Sequence, residues 1–298
     1  MKKFFALSRT THGVLDLAAP GFAAVLWLGR IPEWQVTLLA LVTGFAAYTA
    51  IYALNDLMGI AGDREKFARG QIKEGYSVES SALRYPLAQD ALNLRGGLAW
   101  FAFWFVLALI GCWILNPIIL LVLITAAVLE IIYCLLLKVT FLRTIVSGFV
   151  KSGGPLAAVL MVDPSPDLFR LLPLFAWVFC WEIGGQNIPA DWNDTEEDRR
   201  VGAKTIPCQL GFQTAGLTSV VFLSLTVILS ISLAWISPAE LGPLYWIGAL
   251  LAGFFLLLQP GYRLYQKQDG RLAARLFDRA SWYPLSMLAL VSLLVLIG

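Results

Sequence analysis

The sequence predicts an all-α polytopic membrane protein, a bundle of nine transmembrane helices forming one domain over residues 1–298. Three observations carry this. First, 58% of the residues are hydrophobic and only 14% are charged, too apolar for an ordinary soluble domain. Second, apolar stretches near the length of a bilayer crossing recur along the chain, at about 12–29, 36–54, 97–115, 117–137, 144–162, 171–189, 215–236, 243–264 and 281–297. Third, Lys and Arg fall almost entirely into alternate connections between those stretches.

Each element has its own justification. The chain opens on the basic Met1-Lys2-Lys3, and no small-residue cleavage signal follows before Gly29, so the first stretch is expected to be a retained span. It contains Asp16 and Pro20, which must then face protein or a cavity. The second stretch ends at Asn55-Asp56. The third and fourth are joined tightly at Asn116-Pro117. The fifth contains Lys151 and Pro155, which again require an interior or cavity. The sixth runs into a second acidic cluster, and three further apolar stretches complete the bundle. Long connections are expected at about 56–96, 190–214 and 265–280, and long loops tend to carry function. No internal repeat, separate soluble domain or low-complexity segment is evident.

With the N-terminus in the cytoplasm, only Arg30 and Arg170 of the 22 Lys and Arg fall on the opposite side, and only Lys151 lies within a span. The bias predicts a cell (inner) membrane protein with both acidic clusters on the cytoplasmic side. A net charge of +2 gives no argument for nucleic-acid binding. Cys112, Cys134, Cys180 and Cys208 lack metal-ligand spacing and read as buried free thiols. His12 is the only histidine, which excludes most histidine-based metal sites.

The chemistry is expected in the acidic clusters. The first reads Asn55-Asp56-Leu57-Met58-Gly59-Ile60-Ala61-Gly62-Asp63; the second reads Asp191-Trp192-Asn193-Asp194-Thr195-Glu196-Glu197-Asp198-Arg199. Charge near a bilayer is costly, so carboxylates kept at span ends point to use. At about 100° per residue, Asp191, Asp194 and Asp198 share one helix face, and so do Asp56 and Asp63. Two such faces turned toward each other make an oxygen-rich site for Mg²⁺, which typically takes one or two carboxylates plus substrate phosphates. Nearby cations, with Lys204, Lys138 and Arg84 as candidates, suit a diphosphate leaving group. An apolar bundle would hold the attached hydrocarbon.

At these residues the chain resembles the UbiA superfamily of intramembrane prenyltransferases. That family has nine transmembrane helices and two Asp-rich motifs, after the second and sixth. Its first motif is approximately N-D-x-x-D-x-x-x-D; Asn55, Asp56 and Asp63 match, and Gly59 stands in place of the middle Asp. Its second is approximately D-x-x-D-x-x-x-D followed by R-x-x-G-x-K-T, matched by Asp191, Asp194, Asp198, Arg199, Gly202, Lys204 and Thr205. Tyr133 and Lys138 resemble the family's Tyr and Lys near the end of the fourth helix, and Arg84-Tyr85-Pro86-Leu87 is loosely similar to an Arg-Pro segment of the first loop.

The resemblance implies a mechanism. Mg²⁺ held by Asp56, Asp63, Asp191, Asp194 and Asp198 would bind a prenyl diphosphate. Asn55 and Asn187 would orient metal or phosphate oxygens. Lys138, Lys204, Arg84 and Arg64 would neutralise the leaving group, with Tyr133 and Arg199 as further substrate contacts. A small-molecule acceptor, an aromatic precursor of a quinone-type lipid, would capture the allylic cation. The departure at Gly59 can be met by a water on the metal. It also makes the first motif loosely similar to the N-D-x-x-S-x-x-x-E motif of terpene cyclases, so cyclisation of a prenyl diphosphate stands as an alternative. A transporter or other non-enzymatic membrane protein is the third reading, although acids at span ends and the lack of a repeat do not suit it.

Several polar residues have two readings each. His12 and Asp16, four apart with Arg9 a turn earlier, either line an acceptor pocket or form a polar stripe satisfied by neighbouring helices. Lys151 either touches substrate or pairs with Glu182 or Glu130. Lys138 and Arg143 are substrate contacts or simple positive-inside anchors. The 11 Trp and 18 Phe are expected mainly at interfaces and in packing. Tyr52, Tyr133 and Trp181 are candidates to face a carbocation.

Overall fold

The computed structural model describes residues 1–69 and 84–297. Lys73, one of the cations used to set the orientation, and much of the expected 56–96 connection lie outside the described residues. Among those described, nine helices are long and apolar enough to cross a membrane: α1 Thr10–Leu28, α2 Trp34–Ala68, α3 Leu94–Leu115, α4 Pro117–Lys138, α5 Arg143–Val162, α6 Leu168–Asn193, α7 Ile206–Ile236, α8 Gly242–Lys267 and α9 Gly270–Ile297. No described residue is in a strand. The polytopic all-α reading is correct, and the nine spans fall where the hydropathy placed them.

The expected loops are the main correction. α2 does not stop at residue 54 but continues to Ala68, giving it 35 residues. At 1.5 Å per residue that is about 50 Å, well beyond a hydrocarbon core of ~30 Å. Hydropathy reports where the chain leaves lipid, not where its helix ends. Residues 190–214 are also mostly helical: α6 runs to Asn193, a short helix covers Thr195–Arg200, and α7 begins at Ile206 with a break at Gly211 (φ 78°). Residues 265–280 hold the end of α8, a left-handed turn at Gln268 and the first turns of α9. Asp269 caps α9 by accepting from the Arg271 amide at 2.8 Å. Ala273, Leu276, Phe277 and Ala280 of α9 are buried while Arg271, Arg275 and Arg279 are exposed, the spacing of an amphipathic helix.

The principal core lies between α1, α6, α7, α8 and α9. Phe22 packs on Trp177 at 4.9 Å between ring centroids, and Trp177 packs on Tyr283 at 5.8 Å. Tyr245 donates its hydroxyl to the Ser230 carbonyl at 2.9 Å, so its burial leaves no polar group unpaired. The outward faces carry exposed Leu38, Val106, Leu121, Leu172, Ile228 and Ile247. In lipid that exposure costs nothing, and the helices satisfy their own backbones.

α6 is irregular where it matters. Its α-helical part, Leu168–Trp181, passes into a π-helical turn, Glu182–Asn187, before α-helix resumes at Ile188. Gly184 lies against α7 so closely that a Cβ there would meet the Ser219 carbonyl oxygen at 2.9 Å and the Leu223 nitrogen at 3.0 Å. The Ser219 hydroxyl donates to the Gly184 carbonyl at 2.5 Å. This supplies a partner within a segment whose helical hydrogen bonding is shifted.

Candidate active site

One cavity of ≈ 600 Å³ opens among α1, α2, α4, α5 and α6. Asn55, Asp56, Gly59 and Asp63 line it from α2, and Asn187, Asp191, Asp194 and Asp198 line it from the α6 end. The two acidic motifs therefore face the same space. On α2 the stripe follows directly from helical spacing. The second motif is not one continuous helix: Asp194 (φ −91°, ψ 6°) separates α6 from the Thr195–Arg200 helix. Its three carboxylates still reach the cavity.

Four of the five motif carboxylates are matched by cations, all four from another segment. Arg9 approaches Asp56 at 3.3 Å, and Arg84 approaches Asp194 at 3.0 Å. Lys66, three residues beyond Asp63 on α2, meets Asp198 at 2.8 Å. Arg143 of α5 lies 3.6 Å from Asp191, with its guanidinium 3.9 Å from the centroid of the Tyr133 ring. All four cations line the cavity. Burial pushes the Asp198 carboxyl above the usual carboxylate range, and the Lys66 ammonium opposes that shift. Burial raises the Tyr85 phenol as well, against the pull of Arg84.

The amides complete the wall. Asn55 donates to Glu130 Oε1 at 2.5 Å and accepts from Arg9 at 3.3 Å. Asn187 donates to the Tyr133 hydroxyl at 2.9 Å. The Asn187 Oδ1 and Asp191 Oδ2 atoms are buried without a hydrogen-bond partner among the described residues. Among the described residues no three carboxylate, histidine or cysteine side chains are gathered closely enough to hold an ion by themselves. The donor set nevertheless fits a hard cation completed by substrate oxygens: it is all oxygen, anionic, and includes unsatisfied buried atoms.

Of the residues singled out by sequence, Asp56, Asp63, Asp191, Asp194, Asp198, Asn55, Asn187, Arg84 and Tyr133 come together here. Four others do not line the cavity. Lys138 pairs with Glu65 at 2.6 Å and is half exposed, and Arg64 pairs with Asp90 at 2.7 Å. Arg199 is exposed, 5.8 Å from the Phe212 ring centroid. Lys204 is exposed, and its backbone amide donates to the Leu137 carbonyl at 2.7 Å. The sequence reading missed the roles of Arg9, Lys66 and Arg143 as partners of the acids. Lys66 carried a usable signal: it sits one turn after Asp63 on the same face. Arg143 carried none that separated it from an interfacial anchor.

Fold and site together define a helical membrane protein that gathers two carboxylate motifs around one cavity. The profile of the UbiA prenyltransferase family matches residues 17–290, and the chain belongs to that family. No individually curated protein matches it. Among solved structures, the apo form of a UbiA homologue from Aeropyrum pernix K1 superposes with a TM-score of 0.74 at 18% identity, covering 95% of this chain and 97% of that one. A UbiA homologue from Archaeoglobus fulgidus bound to GPP and Mg²⁺ gives 0.67 at 15% identity, with 97% and 99% covered. A digeranylgeranylglyceryl phosphate synthase gives 0.66 at 17%, with 100% and 97% covered. At these identities the likeness concerns the fold.

Proposed function

We propose that this protein transfers a prenyl group from a prenyl diphosphate to a small-molecule acceptor, with Mg²⁺ as cofactor, at the cytoplasmic side of the cell membrane. The observation that carries this is the convergence of the two acidic motifs on one cavity, with Lys66, one turn past the first motif on α2, paired to Asp198 of the second. Membership of the prenyltransferase family supports it, as does the solved relative holding GPP and Mg²⁺.

Asp56, Asp63, Asp191, Asp194 and Asp198 would hold the metal, which supplies neutralisation of the charge on the departing diphosphate. The residues around them do the rest. Five carboxylates against Arg9, Lys66, Arg84 and Arg143 leave the lining anionic. Each cation is tied to a carboxylate here, and with the acids engaged by a metal each would be placed to meet a phosphate oxygen instead. Arg143 is held flat by Tyr133, and Tyr133 by Asn187, which limits where that charge can go. The apolar wall further in, including Leu115, Ile119, Val122 and Met161, accommodates a hydrocarbon.

The test is Asp194→Ala in purified protein supplied with Mg²⁺ and prenyl diphosphates of several lengths. Diphosphate release is expected to fall at least a hundredfold while the protein still enters membranes and remains monodisperse in detergent. Undiminished release would remove Asp194 from the metal site. Release by the unaltered protein without any acceptor, giving a hydrocarbon or alcohol, would favour cyclisation over transfer.

A further inference from the structure

The cavity does not become purely apolar beneath the carboxylates. α5 presents Arg143, Ser147 and Lys151 to it at four-residue steps, so Lys151 lies about 12 Å along the axis from Arg143. α2 repeats the pattern with Asp56, Tyr52 and Tyr48. α6 does so with Asp191, Asn187 and Glu182, although its last step is five residues. Five residues of regular α-helix would turn Glu182 about 140° away from Asn187. The π turn from Glu182 to Asn187 absorbs that difference and leaves both on the cavity wall. His12 of α1 joins them, stacked on Phe277 at 5.1 Å.

This inner layer is braced from behind. Asp16 is 2% exposed and does not line the cavity. It accepts from Lys151 at 2.6 Å and from the Tyr52 hydroxyl, and its other oxygen lies 3.5 Å from His12 Nε2. Tyr52 also accepts from Lys151 at 2.8 Å. Asp16 thereby takes up the charge of Lys151. Glu182 is left over. It is 6% exposed; Oε1 accepts from Ser147 at 2.6 Å, while Oε2 has no hydrogen-bond partner among the described residues and stands 4.0 Å from Lys151. A buried carboxylate oxygen on a cavity wall, with no donor, is the kind of group a ligand completes.

A hydrocarbon chain gains nothing from such a layer, but a second substrate does. We propose that it is the acceptor subsite, and that it selects an uncharged aromatic molecule whose hydroxyl donates to Glu182 Oε2. Tyr48, Tyr52 and His12 supply ring faces for the aromatic body. An anionic acceptor is disfavoured. Its charge would meet Glu182 and Asp16 at this depth and Glu130 nearer the Asp motifs, against Lys151 and His12, both of which already lie against Asp16. The next cations, Arg9 and Arg143, face Asp56 and Asp191. Charge repulsion is strong where water is scarce.

The inference rests on the donor reading above, so donor binding is measured first. Full-length protein in lipid nanodiscs is saturated with Mg²⁺ and geranyl thiolodiphosphate, an unreactive donor analogue. It is then titrated with para-hydroxybenzamide and para-hydroxybenzoate, which match in size and differ in charge. The amide is expected to bind at least tenfold more tightly. Glu182→Gln should weaken the amide at least fivefold and narrow the preference, with donor-analogue affinity unchanged within twofold. If Glu182→Gln loses donor affinity, Glu182→Asp decides: a preserved preference for the amide supports the subsite, and a lost one overturns it. Equal or tighter binding of the carboxylate, unaltered affinities in Glu182→Gln, or no binding of either probe overturns the proposal. Failure of the unaltered protein to bind the donor analogue overturns the donor reading itself, and this inference with it.

Discussion

Gly59 occupies the position where the family pattern has a third acid, and its surroundings say what a carboxylate would do there. A Cβ on Gly59 would lie 3.1 Å from Asp63 Oδ2, one helical turn away on the same stripe. Asp63 has no ion-pair partner within 4 Å among the described residues, so Gly59→Asp would set two acids side by side. A like-charged i, i+4 pair costs about 0.5 kcal/mol on an exposed helix, and more where water is limited. The substitution is expected to lower the melting temperature by a few degrees without divalent cation. Mg²⁺ should recover the loss, with a larger stabilisation than it gives the unaltered protein. Thermal melts across a Mg²⁺ titration read this directly, and a markedly weakened Mg²⁺ response would mean the α2 stripe does not hold the ion.

At the scale of elements, the site depends on α2 outlasting the bilayer. Its extra turns carry Asp63 and Lys66 to the Thr195–Arg200 helix, where the Lys66–Asp198 pair links them with both side chains nearly buried. Breaking a buried pair by removing one partner costs about 3–5 kcal/mol, because the other charge is stranded. Lys66→Met is therefore expected to destabilise by that order. Adding Asp198→Asn should recover most of the stability, while leaving donor binding impaired. A double-variant cycle in thermal or denaturant unfolding measures the coupling, and additive losses would show that the pair does not join the two elements.

For the whole molecule, alternate ends of the bundle carry different chemistry. One end holds the acidic motifs and most of the basic residues; the other holds Arg30 and Arg170, with the Arg170 guanidinium 5.2 Å from the Trp27 ring centroid. Lys204 and Glu240 are exposed at opposite ends of α7 and its flanking turns. In a variant without the four native cysteines, Lys204→Cys should react with an impermeant maleimide only in inside-out vesicles. Glu240→Cys should react only in right-side-out cells. The reverse pattern would place the acids on the outer face and contradict the charge bias.

The sequence by itself determined the bundle, and it singled out five carboxylates that the fold brings to one cavity. Crossing lipid leaves a chain little choice but helices of bilayer length, and hydropathy reads that constraint directly. The spacing of Asp56 with Asp63 likewise placed them on one stripe of α2, whereas Asp191, Asp194 and Asp198 span a helix break and meet only through the fold. Tertiary structure decided which cations serve those acids. Lys138, Arg199 and Lys204 stand near the motifs in sequence or resemblance and turn outward, whereas Arg9, Lys66 and Arg143 turn in. Spacing along one helix says nothing about a residue on another, and a Lys or Arg at a span end looks the same as an anchor or as a ligand. The pairing of Lys151 was of the same kind. Its partners Asp16 and Tyr52 come from two helices whose contact with α5 no local pattern reports. The π turn that aims Glu182 was hidden for a related reason. It is held by the close fit of Gly184 against α7, a property of two helices packed together and of neither one alone.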